Sequence, residues 1–392
     1  MPWINTEPME QKIAFISGAL SVQRGQFSRL CEAFRISRKT GYKWLRRYRA
    51  AHSLTALAEH SRRPHASPRR IAPSLAERIL QLRSPDGWGA RKIAQLLWEE
   101  GVWVSVATVH RTLLRRGAVH PIDQHGPAPG RFARPSPNDL FQADFKGPMG
   151  RVGAQDEPLT MLDDHSRFAL GVFALRDHRL ERVQDCFIGV FERYGLPRQL
   201  LLDHGTPWWN GHNGWGISRL SVFFIQQNIE LIFGQVRHPQ TQGKIERFHR
   251  TLARSMIHQG LPERWEQWQA RYDGFVERYN RVRPHEALAM QRPAQHYRPS
   301  TRRYQKQVAR WVYPAGVEVC SVDGAGTVRV EGHRYFVSEA LVHQEVALEP
   351  VGDHVLVRFR NMYIRELNLP GNTTLPFVFP VRHISGEVLP MS

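Results

Sequence analysis

Between Asp139 and Asp203 the chain changes its hydrophobic period in an order that few folds can accept. In Asp139-Leu140-Phe141-Gln142-Ala143-Asp144-Phe145, apolar Phe141, Ala143 and Phe145 alternate with Gln142 and Asp144, which predicts a half-buried strand. Leu159 to Leu162 and Phe168 to Leu175 read as two strands joined by a turn at Asp163-Asp164-His165-Ser166. Leu180 to Tyr194 reads as an amphipathic helix stopped by Gly195 and Pro197. Gln199-Leu200-Leu201-Leu202-Asp203 then forms a buried strand closed by His204-Gly205-Thr206-Pro207. Strand, hairpin, helix, strand is an α/β order.

That order puts two acids, Asp144 and Asp203, at the ends of strand-like runs, where open α/β sheets place their ligand crevice. A third acid lies downstream in His238 to Leu252, HPQTQGKIERFHRTL. Pro239 and Gly243 break any earlier regular structure and Thr241 can cap a helix beginning there, so Glu246 falls in the early turns of that helix. His249 and Arg250 share its face at i+3 and i+4. Alone, a carboxylate among Lys244, Arg247, His249 and Arg250 reads first as a surface ion-pair network. As the third of three acids it completes a cluster. Clustered carboxylates repel, and their pKa values rise unless cations are present. Oxygen-only ligation selects Mg2+, with Mn2+ as a substitute, and two such ions can hold the attacking and leaving oxygens of a phosphoryl transfer. Asp163 and Asp164, by contrast, are expected to serve turn chemistry.

These residues resemble the DDE catalytic core of insertion-sequence transposases related to retroviral integrases. The resemblance rests on the order Asp144, Asp203, Glu246 and on HPQTQGKIERFHRTL around the last acid. It continues in Tyr279-Asn280-Arg281-Val282-Arg283-Pro284-His285-Glu286-Ala287-Leu288, similar to the YNxxRPHxAL signature of those transposases, and in Pro293-Ala294 and Tyr297. It covers about Asn138 to Pro299 and implies an RNase H-like fold. Two positions depart from the family: His204 follows the second acid where Asn is usual, and Phe141 stands where Trp often precedes the first. The 43 positions from Asp203 to Glu246 are also long, the excess falling in the Gly- and Trp-rich segment Trp208 to Gly216.

Charge points to the partner. The net charge is +18, and the first 135 residues carry 23 Lys+Arg against 9 Asp+Glu, leaving 31 against 27 for the rest. A basic N-terminal third suits a polyanion. Gln11 to Leu20, Phe27 to Phe34 and Arg38 to Arg49 read as three helices, with Ile36-Ser37 as a short turn and Ser37 as a cap. The third bears Arg38, Lys39, Lys43, Arg46, Arg47 and Arg49, the layout of a helix-turn-helix whose last helix enters the major groove. Ser74 to Arg83, Ala90 to Glu100 and Val106 to Arg116 repeat the plan, with Ser105 opening a helix that carries His110, Arg111, Arg115 and Arg116. Between them lies a Pro-interrupted basic linker with Arg62, Arg63, Arg69 and Arg70, suited to a minor-groove arm or to a tether.

Beyond the core, Val317 to Val322, Gly326 to Val330, Arg334 to Val337, Glu345 to Glu349, His354 to Phe359 and Met362 to Leu367 read as short strands. They predict a small β-barrel, similar to the SH3-like C-terminal domain of the family. The aromatic stripe Trp265, Trp268, Tyr272 and Phe275 is expected to pack in a core or between subunits. Cys31, Cys186 and Cys320 suggest neither disulfide scaffold nor zinc module. No leader and no apolar run near 18 residues is present, so a soluble, cytoplasmic, nucleoid-associated protein of bacterial type is expected.

The expected architecture is multidomain: helix-turn-helix at 1–52, basic linker at 53–72, second helix-turn-helix at 73–120, and linker at 121–137. An RNase H-like α/β catalytic core at 138–300 and a small SH3-like β-barrel at 310–392 complete it. The expected function is a transposase acting on double-stranded DNA, both element ends and target, as a homo-oligomer in the DNA complex. Asp144, Asp203 and Glu246 would serve as catalytic residues and as ligands of two Mg2+ ions, with Lys244 and Arg250 against phosphate. The rival expectation is a helix-turn-helix regulator with an inactive transposase-like core, and a nuclease that cuts without joining is a third.

Overall fold

The computed structural model describes residues 8–23, 25–59, 71–119, 134–150, 155–210, 216–234 and 243–380. The chain folds as two compact units, Met1–Ile71 and Ala72–Ser392.

The first unit is a three-helix bundle of α1 (Pro8–Ser21), α2 (Phe27–Ala33) and α3 (Arg38–Ala51), closed by a 3-10 turn at Leu54–Leu57. Ser37 caps α3 as its residue type predicts, its hydroxyl accepting from Thr40 N at 3.2 Å. Phe15, Ile16, Cys31, Trp44, Leu45 and Leu57 form the core. A Cβ on Gly41 would stand 2.7 Å from Cys31 Sγ, so α3 approaches its neighbours too closely there for any other residue.

The second unit begins with another three-helix module, α4 (Pro73–Arg83), α5 (Ala90–Glu99) and α6 (Val106–Arg115). Ser105 caps α6 through Thr108 N, again at 3.2 Å. The α/β core comes next with β1 (Leu140–Phe145), β2 (Leu159–Asp163), β3 (Ala169–Phe173), α7 (Leu180–Tyr194) and β4 (Gln199–Leu202). A two-residue ribbon of β5 (Trp209–Asn210) and β6 (Gly216–Ile217) leads to α8 (Arg219–Gln226), β7 (Glu230–Phe233), α9 (Gly243–Gln259), α10 (Trp268–Arg281) and α11 (Pro293–His296). The sheet order is β3-β2-β1-β4-β7, with β1, β2 and β3 antiparallel and β4 and β7 parallel to β1. This is the strand order of the RNase H-like fold that the motifs implied.

Each face of the sheet is covered. Phe141, Ala143, Leu200 and Leu202 point toward α7 and α8, while Leu162, Ala169 and Val172 point toward α9 and α10. The aromatic stripe is core packing: Trp268, Tyr272 and Phe275 are buried with Phe248, Leu252 and Tyr279, and Trp265 packs at the margin. Helix α10 also bonds β3 directly. Asn280 accepts from Ala169 N and donates to Ala169 O, both at 2.8 Å. Gln269 does the same with Ala174 N and Val172 O, at 2.9 and 3.1 Å.

The C-terminal region is β, as expected, but its strands are not set apart from the core. A five-stranded antiparallel sheet runs in the order β14-β13-β12-β11-β8, built from β8 (Glu318–Ser321), β11 (Glu345–Val351), β12 (His354–Phe359), β13 (Met362–Asn368) and β14 (Thr373–Pro380). A ribbon of β9 (Thr327–Val330) and β10 (His333–Phe336) accompanies it. Val346, Leu348, Val357, Phe359 and Ile364 share one hydrophobic cluster with Leu200, Leu202 and Leu231 of the core. Strand β14 was not anticipated. Among the described residues no helix is long and apolar enough to cross a membrane.

Candidate active site

The parallel ladder between β1 and β4 pairs Leu140 with Gln199, Phe141 with Leu200 and Gln142 with Leu201. Carried two residues further, that register sets Asp144 level with Asp203 on adjacent strands, whose spacing is about 4.8 Å. Alternation decides the face. Phe141, Ala143, Leu200 and Leu202 occupy one side, so Asp144 and Asp203 share the other, the side covered by α9. Helix α9 brings Glu246 in its first turn. The three acids therefore converge from β1, the end of β4 and the start of α9.

Their proximity registers electrostatically. Burial, then the charges of Asp203 and of Glu246, push the Asp144 carboxyl up to about 7. Asp203 is held in place by two donors on one oxygen: Trp208 Nε1 at 2.7 Å and Gly205 N at 3.0 Å reach its Oδ1. Trp208 is fully buried and stacks on Phe145 with centroids 5.0 Å apart. His204 turns outward against Trp209, so the departure from the family pattern at that position leaves Asp203's own contacts to Trp208 and Gly205.

Asp144 is bordered by His249. The Thr160 hydroxyl donates to Asp144 O at 3.0 Å and therefore accepts from His249 Nε2 at 2.7 Å, which leaves Nδ1 as a bare lone pair 3.9 Å from Asp144 Oδ2. Burial, with Lys146 nearby, drives His249 down to about 4, so it faces the acid uncharged at neutral pH. Neither Trp208 nor His249 was singled out as an orienting residue from the sequence. Trp208 sat in what read as an inserted loop, and His249 read as a surface cation.

The other acids on the sheet are committed elsewhere. Asp163 accepts from Asn138 N, Ser166 N and Ser166 Oγ, the turn chemistry its position predicts. Asp156 accepts from Tyr272 Oη and Leu175 N. Asp164, fully buried, binds Gln142 Nε2 at 2.7 Å and Lys244 Nζ at 2.5 Å. Lys244, expected against phosphate, is thus turned inward, and burial lowers it to about 8 despite the partner. Desolvating a lone Asp164 would cost far more than the surface position Lys244 gives up. Glu246 itself is exposed, and no ion pair joins it to another of the described residues.

The donor set of the three acids is oxygen only, which fits a hard divalent cation, and the charges of Asp203 and Glu246 add to burial in lifting Asp144. The acids approach without closing: no group of three His, Cys, Asp or Glu among the described residues is near enough together to hold a metal ion.

Of the expected DNA contacts, Arg38, Lys39, Lys43 and Arg46 are exposed on α3, and Arg47 lies half-buried over Trp44. His110, Arg111 and Arg115 are exposed on α6, and Arg250 on α9. Arg62, Arg63, Arg69 and Arg70 lie outside the described residues, as do His238 to Gln242 with the Thr241 cap.

Comparison with known proteins adds two matches. An integrase core domain matches residues 227–293, from the approach to β7 through Glu246 to the start of α11. The segment that carries Glu246 is thus similar to an integrase core. A homeodomain-like domain matches residues 40–113, spanning α3 to α6. Together they support an integrase-like transposase, with DNA binding as the coarse function. Among solved structures, the HTLV-2 integrase catalytic core domain in complex with magnesium is 14% identical, with 42% of this chain and 99% of that one covered and a TM-score of 0.32. The simian T-cell lymphotropic virus intasome, solved with the PP2A subunit B56 gamma, is 11% identical over 71% and 91% of the chains with a TM-score of 0.38. The BIV integrase catalytic core is 19% identical over 40% and 92%, with a TM-score of 0.32. The topology stands on strand order and register, independently of these values.

Proposed function

We propose that the chain is a DDE transposase that binds the terminal sequences of a mobile DNA element, cleaves their 3′ ends and joins them to target DNA. The observation that carries this reading is the convergence of Asp144, Asp203 and Glu246, with Asp144 lifted to about 7 by burial and its two partners. Asp144 and Asp203 would hold two Mg2+ ions, or Mn2+, and Glu246 would complete one shell. Bound there, the metal supplies charge neutralisation and a nucleophilic oxygen at neutral pH.

The chain's own contribution is placement. Trp208 and Gly205 hold Asp203 through its Oδ1, and neutral His249 borders Asp144 without a charge to compete for it. The first step is hydrolysis: water oxygen bonds phosphorus, the bond to the 3′ oxygen breaks, and that oxygen leaves protonated. In the second, the 3′-hydroxyl oxygen attacks a target phosphorus and displaces the target's own 3′ oxygen, one phosphodiester replacing another with no external energy source. No covalent link to protein is required.

The helical modules, with exposed basic residues on α3 and α6, would hold double-stranded DNA, and joining two ends of one element calls for at least two copies on the DNA. The C-terminal sheet, read as an SH3-like module, would support the DNA or the subunit contacts. The test uses purified protein, labelled DNA ends from beside the gene, and Mg2+ or Mn2+, comparing wild type with Asp203→Asn. Joined product from wild type alone supports strand transfer. Cut but unjoined DNA indicates a nuclease, and binding without cutting by either protein indicates the regulator.

A further inference from the structure

Among the described residues, the signature Tyr279 to Leu288 makes no hydrogen bond or ion pair with the three acids. Its first residues pack on β3 and α9, Asn280 bonding Ala169 and Tyr279 meeting Phe248, while Glu286 near its end pairs with Lys92 of the second helical module. The turn after α4 is braced from within by Arg83, nearly fully buried, whose guanidinium donates to Ala118 O, Gly87 O and Trp88 O. From that turn Asp86 projects into the core at 4% exposure and meets four donors. Arg278 reaches it through Nε at 3.0 Å and Nη2 at 3.1 Å, Gln259 Nε2 at 3.3 Å, and Ser255 Oγ also donates. Gly87 beside it has φ +63, and a Cβ there would fall 2.2 Å from His258 Nε2. The turn is fitted to the C-terminal half of α9.

Helix α5 then runs along the segment beyond α10. Lys92 and Glu99, seven residues apart and so on one helical face, pair with Glu286 and Arg292. The signs alternate along both partners, positive then negative on α5 and negative then positive on the core. A reversed helix would set like charges together, so the contact has a direction as well as a place. Meanwhile the basic residues of α6 stay exposed on the module.

We propose that the face made by α9, α10 and the segment to Arg292 is a docking platform for the second helical module, with Asp86 as its positioning residue. Its role is to present DNA held on α6 to the acids at a fixed offset. The link is mechanical. Asp86 grips Ser255 and Gln259, nine and thirteen residues along the same helix that bears Glu246, roughly 14 to 20 Å away at 1.5 Å per residue. The offset role rests on the transposase reading; the docking itself does not.

Two measurements separate them. Hydrogen exchange on the full chain tests docking: Asp86→Asn should raise exchange at least tenfold in 84–88 and 255–259 and leave α7 and the C-terminal sheet as in wild type. Unchanged exchange in those segments overturns the proposal whatever the protein does to DNA. If Asp86→Asn fails to fold, Lys92→Glu should give the same local loosening, and Lys92→Glu combined with Glu286→Lys should restore protection.

The second arm uses labelled ends, footprinted to find the α6-bound stretch, with 5 base pairs inserted between that stretch and the cut. Wild type should lose at least tenfold in cleavage on the inserted DNA. Asp86→Asn should bind both DNAs as wild type does, cut natural ends about tenfold more slowly, and lose most of the insertion penalty. Equal rates and an equal penalty in both proteins would overturn the fixed offset. Absence of any cutting by wild type would instead count against the transposase reading, with the exchange result still deciding docking.

Discussion

Replacing Asp144 by Asn should stabilise the protein, and the amount can be worked from the site. Its carboxyl is lifted from an ordinary 3.8 to about 7 by burial and by Asp203 and Glu246. One pKa unit is about 1.4 kcal/mol, so ionised Asp144 costs the folded state about 4 kcal/mol above pH 7. Its side chain keeps one-fifth of its exposure, and relaxation and water entry reduce that figure, by roughly half on the usual experience with buried ions. The sign comes from proton binding. Below pH 3.8 the group is protonated in both states and costs nothing; through the window from 3.8 to 7 the folded state holds the proton longer, so the cost grows with pH, then stays constant.

Asparagine keeps the shape and removes the charge. The thermal transition of the Ala72–Ser392 unit within the full chain, recorded from pH 4.5 to 8.5 without divalent cations, should lie roughly 3 °C higher in Asp144→Asn than in wild type at pH 8, with the gap closing toward pH 4.5. Adding Mg2+ should raise the wild-type midpoint and leave the variant's unmoved. A variant no more stable than wild type at pH 8, or a gap independent of pH, would refute the claim that the three acids strain the fold until a cation joins them.

Other perturbations address single interactions. Trp208→Phe keeps the stack on Phe145 but removes the donor to Asp203, and should weaken Mg2+-dependent protection against unfolding by about 10- to 100-fold in metal concentration. Asn280→Ala strips two buried hydrogen bonds from β3 and should cost roughly 2 to 4 kcal/mol in urea unfolding, against near-neutral loss for the exposed neighbour Arg281→Ala. Lys43→Ala and Arg46→Ala on α3 should each weaken DNA binding and shallow the dependence of log K on log salt by about 0.9 for every phosphate the side chain neutralises; an unchanged slope would move that interface elsewhere.

What could be read in the sequence was local. Ser37 and Ser105 cap their helices because a hydroxyl before a basic amphipathic run has one nearby use. Asp144 and Asp203 were legible because strand alternation and turn residues fix a face and an end. The interactions that escaped are made across distance. Lys244 finds Asp164 from 80 positions away, and Arg278 finds Asp86 from 192. Until the sheet and helices are assembled, nothing near Lys244 distinguishes an inward cation from an outward one. Strand β14 was obscured by Pro376 and Pro380, residues that argue against a central strand; it takes the outer place in its sheet, and the ladder slips a register opposite Pro376.

The amide side chains of Gln269 and Asn280 carry a consequence for assembly. Strand β3 ends its sheet, and an open strand edge is a row of donors and acceptors that any extended segment can pair with. Here α10 supplies two side-chain amides eleven residues apart, each offering the donor and acceptor of a peptide group, so the helix stands in for a sixth strand at Ala169 and again at Val172 to Ala174. At the opposite margin, β7 lies against the C-terminal sheet, where Leu231 N meets the sulfur of Met362. The core sheet is thereby guarded against growing by strand addition at these positions.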